Sequence, residues 1–324
     1  MHTFPAGAGS PVETSALGRR GNAALSGALA RFLRTSPADH ESKSIGELIA
    51  DVGIQPDAGA VLRALIRIGT FASDFDDLSA DAALVQLQRG FTKGVLYLDG
   101  GWQQLVDALS RDLEIHGHAA VRQVRGDARS VEVETGDGVV VGRTAIVATG
   151  TPGSVRAVLP TDPGWGEVGE PLTAACLDVA LRGVPSPGYV LGVDEPVYGS
   201  TQSPPARQSP EGGSVVAVHR DGARSADEDR PLLEGWLSLV GVDPEQVVRS
   251  RFLARLNVVG AIPRARNGGL PGRPSIDATA MPNVFLAGDW VGPSGFLADA
   301  SFASGYAAAR TAVRAADHAA RMIT

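Results

Sequence analysis

The chain has 324 residues, enough for two domains of roughly 150 each, and its 44% hydrophobic and 20% charged content is that of a globular protein rather than a disordered one. A net charge of −7 with no basic stripe argues against nucleic acid as a partner, and no apolar run approaches the ~18 residues of a membrane span. One cysteine excludes an internal disulfide and no Cys/His cluster has zinc spacing, so with no secretory pattern after Met1 the expected compartment is reducing and cytoplasmic.

The first ninety residues read as helices. Pro5 to Pro11 is Gly/Pro-rich and expected to fray, after which Leu25, Leu29, Phe32 and Leu33 recur at helical spacing. Ser44 and Glu47 form a capping box that opens a helix ending near Gly53. Asp57 to Phe71 continues the period through Val61, Leu62, Leu65, Ile66 and Ile68, and Ser79 is an N-cap for Ala80 to Leu87. Together these elements predict a helical cap over 1–94.

The pattern then changes. Val95 to Leu98 is a short strand, and Trp102, Leu105, Val106, Leu109 and Leu113 mark one face of a helix that Gly117 can stop. Arg129 to Thr135 alternates, the Gly136-Asp137-Gly138 turn follows, and Val139 to Val141 returns as the second arm of a hairpin. Thr144 to Ala148 reads as a buried strand running into Thr149 and Gly150. Between 154 and 282 the apolar runs Ala174–Leu181, Tyr189–Val193, Val215–His219 and Phe252–Val259 predict a mixed sheet. A helix capped by Ser225 and Glu228 covers it, with Leu232, Leu233, Trp236, Leu237 and Val240 on its apolar side, and Ser203 to Gly213 is an exposed loop.

The last forty residues carry the sharpest signal. Asn283 to Ala287 is a buried-strand pattern ending at Gly288-Asp289, followed by the loop 290–295 and a long helix from about Leu297. Ser301, Gly305, Ala308 and Ala312 give that helix a face of small residues. A strand ending in Gly-Asp before a helix N-terminus builds an anion site, because glycine permits close backbone approach and the first helical N–H groups are unpaired. The Asp289 carboxylate can accept hydrogen bonds from sugar or ribityl hydroxyls.

Taken in order, these segments resemble a family. Val284 to Gly292 followed by Gly295 to Ala309 is similar to the C-terminal FAD-binding signature of the amine oxidase and phytoene desaturase superfamily. Tyr97 to Trp102 with Leu105 to Leu109, Ala145 to Gly150, and Val258 to Pro263 resemble its internal segments in the same order. The resemblance implies an α/β fold: an incomplete FAD-binding, Rossmann-like domain assembled from 95–153 and 283–324, with the substrate domain at 154–282 under the helical cap. It implies FAD as cofactor. Gly288 and Asp289 match the positions that meet the pyrophosphate and ribityl chain, Ala298 the helix start facing the flavin pyrimidine, Val121 the adenine contact, and Thr149 and Gly150 the strand end near the cofactor.

The opening G-x-G-x-x-G unit of that family is absent; Gly7-Ala8-Gly9 is the nearest string, with no strand before it and Pro11 interrupting. About one βαβ unit is therefore expected to be missing, leaving Ala145–Ala148 and Val284–Ala287 with unpaired edges and the chain poorly soluble, oligomeric, or completed by a separate N-terminal chain. Only Lys43 and Lys93 are lysines and neither lies in a matching motif, so the amine oxidase lysine has no counterpart and no catalytic acid or base is assigned. Trp290 and Phe296 are assigned to the substrate pocket, with core packing as the alternative. The implied activity is hydride removal from an apolar small molecule, desaturase-like. The alternatives are a non-catalytic remnant binding an apolar ligand or partner protein, or one half of a two-chain flavoenzyme. Asp74, Asp76 and Asp77, His116 and His118, and Cys176 read as a solvated turn, a helix terminus and an inert thiol, and Glu228, Asp229 and Arg230 as the polar start of a helix.

Overall fold

The computed structural model describes residues 2–3, 17–204 and 206–321, with side chains from 17 to 317; Pro5 to Pro11 lies outside them. Helices α1 (Arg19–Phe32), α2 (Ile45–Val52), α3 (Pro56–Thr70) and α4 (Ala80–Lys93) form the cap. Leu25, Leu29, Phe32, Leu62, Ile66 and Leu84 are its centre, and Ile262 and Phe296 join them from far along the chain. Each such side chain contributes about 1.5–3 kcal/mol by leaving water. The Ser44/Glu47 capping box is complete, and Gly53 closes α2 in the left-handed conformation at φ 63°. Ser79 differs from expectation. It precedes α4, but its hydroxyl is buried without a partner. Asp81 instead accepts from the backbone N–H of Ala82 at 2.7 Å and of Leu270 at 2.9 Å, tying the helix start to a distant loop.

His2–Thr3 (β1) pairs antiparallel with Leu96–Tyr97 (β2). Helix α5 is shorter than its apolar period predicts, spanning Gln103–Ser110, and its apolar side faces outward: Trp102, Val106, Leu109 and Leu113 are 54–66% exposed. Strands β3 (Val121–Gly126), β4 (Val131–Thr135) and β5 (Gly138–Gly142) form an antiparallel meander. β6 (Ala145–Val147) runs into α6 (Pro152–Val158), a helix missed in the sequence although Thr151 and Ser154 make a capping box.

The second unit is a five-stranded sheet in the order β11-β7-β10-β9-β8: β7 Leu172–Leu181, β8 Tyr189–Leu191, β9 Val197–Ser203, β10 Ser214–Asp221 and β11 Val247–Val259. Every pairing in it is antiparallel where a mixed sheet was expected. β9 was not legible, because Val-Tyr-Gly-Ser-Thr-Gln-Ser lacks an apolar alternation. The loop after it is not simply exposed: Ala206 is buried and Ser203 Oγ bonds Ser209 Oγ at 2.7 Å. Helix α7 (Ala226–Val240) lies across one face, packing Leu233 and Val240 on Leu177, Val179, Val216 and Val218. Asp229, expected on its polar side, is buried, accepting from Arg224 N at 2.7 Å and facing Arg220 at 3.6 Å.

Finally β12 (Val284–Leu286) pairs in parallel with β6, and α8 (Ala298–Arg321) packs over β12. The buried stripe of α8 is Ala300, Ser304, Ala308 and Ala312; Ser301 is exposed. Among the described residues the β12–β6 pair has no third strand, and no helix is long and apolar enough to cross a membrane.

Candidate functional site

The Gly288-Asp289 turn sits where four stretches of chain converge. Gly288 exchanges hydrogen bonds with Ser304 on α8: its N–H donates to Oγ at 3.0 Å and its carbonyl accepts from the hydroxyl at 2.9 Å. The Asp289 carboxylate accepts from the N–H of Gly260, just past β11, at 2.8 Å. Trp290 Nε1 donates to the Gly150 carbonyl at 3.0 Å, joining the end of β6 to the same turn. Arg273 reaches in from a Gly/Pro-rich loop and donates to the carbonyls of Asp289 at 2.8 Å and Gly295 at 2.9 Å.

Backbone shape makes this convergence depend on glycine. A Cβ on Gly260 would stand 2.5 Å from Asp289 Oδ1, 2.6 Å from the Gly150 carbonyl and 2.7 Å from Trp290. Gly295, at φ 74°, turns the chain onto the start of α8, where a Cβ would stand 2.9 Å from Asp299. Gly150 (φ 91°) and Gly292 (φ 74°) differ: each is left-handed with nothing within 4 Å of where a Cβ would point. Each faces open space where a side chain would begin.

Burial pushes the Asp289 carboxyl above its ordinary value, opposed by the Gly260 N–H and the Arg273 guanidinium. Burial also lowers Arg273, to about 10, against the pull of Asp289 and Asp81. A buried arginine spread across two carbonyls holds the turn and the helix start in one geometry.

Of the residues assigned from sequence, Gly150, Gly288 and Asp289 are brought together, and Ala298 is exposed in the first turn of α8. Thr149 is exposed, its carbonyl accepting from Ser154 Oγ at 2.7 Å. Val121 stands apart at the 38% exposed start of β3. The two aromatics assigned to a pocket lie in cores: Trp290 packs with Val147, Leu286 and the Trp165 ring, 5.0 Å away, and Phe296 packs within the cap. Gly260, Arg273 and Ser304 were not assigned. Gly260 stood inside the quoted Val258–Pro263 stretch, whereas nothing near Arg273 marks it. The two lysines stay outside: Lys43 pairs with Asp51, and Lys93 ends α4. Among the described residues no three His, Cys, Asp or Glu side chains are grouped to hold a metal.

The arrangement is a strand–Gly-Asp–loop–helix cradle, and an earlier part of the chain has known counterparts. The family of flavin containing amine oxidoreductases matches residues 18–175. Over that stretch the chain is similar to them. Its fold is also theirs: it superposes on putrescine oxidase solved with putrescine bound at a TM-score of 0.66, with 13% identity, covering 96% of this chain and 78% of that one. Cyclohexylamine oxidase from Brevibacterium oxydans gives 0.62 at 13% identity, covering 95% and 76%. A candidate protoporphyrinogen oxidase from Exiguobacterium sp. gives 0.59 at 12% identity, covering 93% and 74%. No curated protein matches in sequence. The family match takes in the Tyr97–Leu109 and Ala145–Gly150 motifs, and the solved structures bear out the α/β fold.

The cradle residues fit a flavin nucleotide on one side. Open space lies at Gly150 and Gly292, the N-terminus of a 24-residue helix offers N–H groups, and the Asp289 carboxylate is fixed by the Gly260 N–H.

Proposed function

We propose that this chain is the flavin-binding and substrate-binding part of an oxidoreductase that takes hydride from a largely apolar small molecule. The observation that carries the reading is the Gly288-Asp289 cradle closed by Gly260, Gly150 and the start of α8. In this reading Gly150, Gly288 and Asp289 meet the pyrophosphate and ribityl part of FAD, and Ala298 meets the flavin ring. Bound FAD supplies hydride acceptance; the chain supplies orientation and exclusion of water. The dipole of α8 would favour negative charge on a reduced ring beside its N-terminus. No lysine joins the cradle, which favours a desaturase-like reaction over amine oxidation.

A second reading, one half of a two-chain flavoenzyme, is supported by the uncovered surface. Val139 to Val141 on β5 and the apolar side of α5 are exposed, as are Phe302 and Tyr306 on α8, the helix that packs over the open-edged β12–β6 pair. Titration of the purified chain with FAD, followed by desalting, tests both. Retained flavin absorbance that Asp289→Ala weakens supports a self-sufficient cradle. A chain that stays colourless until a strand-bearing partner is added supports the two-chain form, and one that ignores FAD in both settings overturns the flavin reading.

A further inference from the structure

The five-stranded sheet has two unlike faces. Alternation turns Leu177, Val179, Val216 and Val218 toward α7, where they are wholly buried. The opposite face carries Cys176, Asp178 and Ala180 from β7, Val215, Ala217 and His219 from β10, and Tyr198 and Gln202 from β9, and all of these are only half-buried. Midway along, that face carries the Asp178–Arg251 ion pair, and a second pair of titratable groups lies near one end. There His219 and Asp221, two apart on β10 and so on the same side, bring Nε2 and Oδ1 to 3.5 Å, with side chains 17% and 4% exposed.

This pair is unlike a structural ion pair. Both facing atoms are buried and neither has a hydrogen-bond partner. Nε2 contributes none of the exposure that His219 keeps, so that exposure lies on the rest of the ring. The imidazole is boxed by the rings of Phe71, at the end of α3, and Tyr198, with centroids 5.5 and 5.6 Å away. Behind Asp221, Arg67 on α3 stands at 3.9 Å, but its guanidinium is already engaged by the carbonyls of Gly192 and Glu195 at 2.6 and 3.3 Å. A carboxylate behind one ring nitrogen fixes the ring orientation and leaves the other nitrogen to meet a ligand.

Position ties the pair to the cradle. Asp221 lies opposite Ala174 on β7, Ala174 lies opposite Leu256 on β11, and β11 ends at Val259, next to Gly260. The pair is thus toward the end of the sheet where Asp289 docks, two strands across and four residues along β11 from Gly260.

We propose that His219, held by Asp221, is the polar anchor of a ligand seat on this half-buried sheet face, accepting a hydrogen bond from an N–H or O–H group of an otherwise apolar small molecule. The reading of that molecule as substrate rests on the proposed function; the seat itself does not. The other charged and titratable groups facing the pair or its strand neighbours are Arg67 from α3, Tyr198 from β9, and Cys176 with the Asp178–Arg251 ion pair (2.7 Å) from β7 and β11. Burial holds the imidazole low, near 4, so it stays neutral and able to accept at physiological pH.

The test uses the full chain labelled with ¹⁵N-histidine, the His219 signals being those lost in His219→Gln. Cyclohexylamine and cyclohexanol, each with one donor, should shift those signals, and methylcyclohexane should not. Asp221→Asn should change the tautomer signature of His219 alone. His219→Gln should weaken cyclohexylamine binding roughly three- to tenfold, the size of one hydrogen bond. If His219→Gln fails to fold, diethyl pyrocarbonate mapping of the parent replaces it: the His219 adduct should form slowly in cyclohexanol and quickly in methylcyclohexane. His219 signals that respond equally to all three compounds or to none, or adduct rates that are equal in cyclohexanol and methylcyclohexane, overturn the proposal. FAD retention is scored separately by absorbance, so loss of the flavin reading and loss of this seat are different results.

Discussion

Replacing Gly260 by alanine adds one methyl group at the most crowded glycine of the cradle. The new carbon would meet a carboxylate oxygen at 2.5 Å, a backbone carbonyl oxygen at 2.6 Å and a wholly buried tryptophan at 2.7 Å. Neither Trp290 nor the Gly150 carbonyl is free to swing away, because they are hydrogen-bonded to each other. Overpacking of this kind costs about 2 to 3 kcal/mol, and displacing Asp289 from the Gly260 N–H adds about 1 kcal/mol. For a chain of this size the melting temperature should fall by roughly 4 to 6 °C. Gly235→Ala is the matched control: it makes the same chemical change within α7, where nothing lies within 4 Å. It should stabilise by about 1 kcal/mol, since alanine is the better helix former. Thermal melts followed by circular dichroism, with urea midpoints beside them, give both numbers. A Gly260→Ala protein that melts within a degree of its parent would refute the convergence of Gly150, Gly260 and Asp289 described above.

Arg273→Ala removes the donor shared by the Asp289 and Gly295 carbonyls, so stability should drop by about 2 to 3 kcal/mol and FAD retention should fall with it. An unchanged urea midpoint would show that this arginine does not hold the turn. The pH dependence separates Asp221 from His219. Burial raises Asp221 to about 7, so its contribution is fully present below its unfolded value near 3.8 and is lost as pH rises through 7. Burial lowers His219 to about 4, so its contribution is present above its unfolded value near 6.5 and is lost as pH falls toward 4. Asp221→Asn removes only the first effect, and its stability relative to the parent should therefore improve from pH 5 to pH 7; equal differences in urea midpoint at the two values would sink that assignment. Last, Trp102→Gln, Val106→Gln and Leu109→Gln combined should lower self-association in size-exclusion chromatography while shifting the melt by less than about 1 kcal/mol, because all three are more than half exposed. A triple variant that unfolds would mean the face is covered in solution.

The helical cap and the strand runs were legible because burial there follows the local period. Leu25, Leu29 and Phe32 repeat at helical spacing and are all buried, and the Ser44 and Ser225 capping boxes fixed two helix starts. Where period and burial part company, reading failed. The apolar side of α5 has the spacing of a buried helix yet faces outward, because periodicity reports amphipathy and not what covers it. In β9 glycine, serine and threonine fill the covered positions, so no apolar alternation shows. At the candidate site the contiguous part, Gly288-Asp289 and the helix after it, could be read from order alone. Its other supports, Gly260 from β11's end and Arg273 from an irregular loop, are joined to it only in three dimensions. His219 and Asp221 escaped notice for a related reason: two residues apart on a strand is an ordinary spacing, and only the aromatic box sets the pair apart.

The β12–β6 pair has a consequence for how the molecule comes into being. Its two strands are three residues each, yet one begins at residue 145 and the other at residue 284, with the entire antiparallel sheet between them in sequence. Closing so long a loop for so few hydrogen bonds is unfavourable until the intervening chain is already compact. The sheet and α7, whose contacts lie between residues 172 and 259, can assemble first and bring the two ends within reach. The cradle would then form late, as the seam that closes the chain on itself. Its integrity would report that all earlier parts have found their places, and a ligand held across that seam would slow its reopening more than it would speed the folding of any single element.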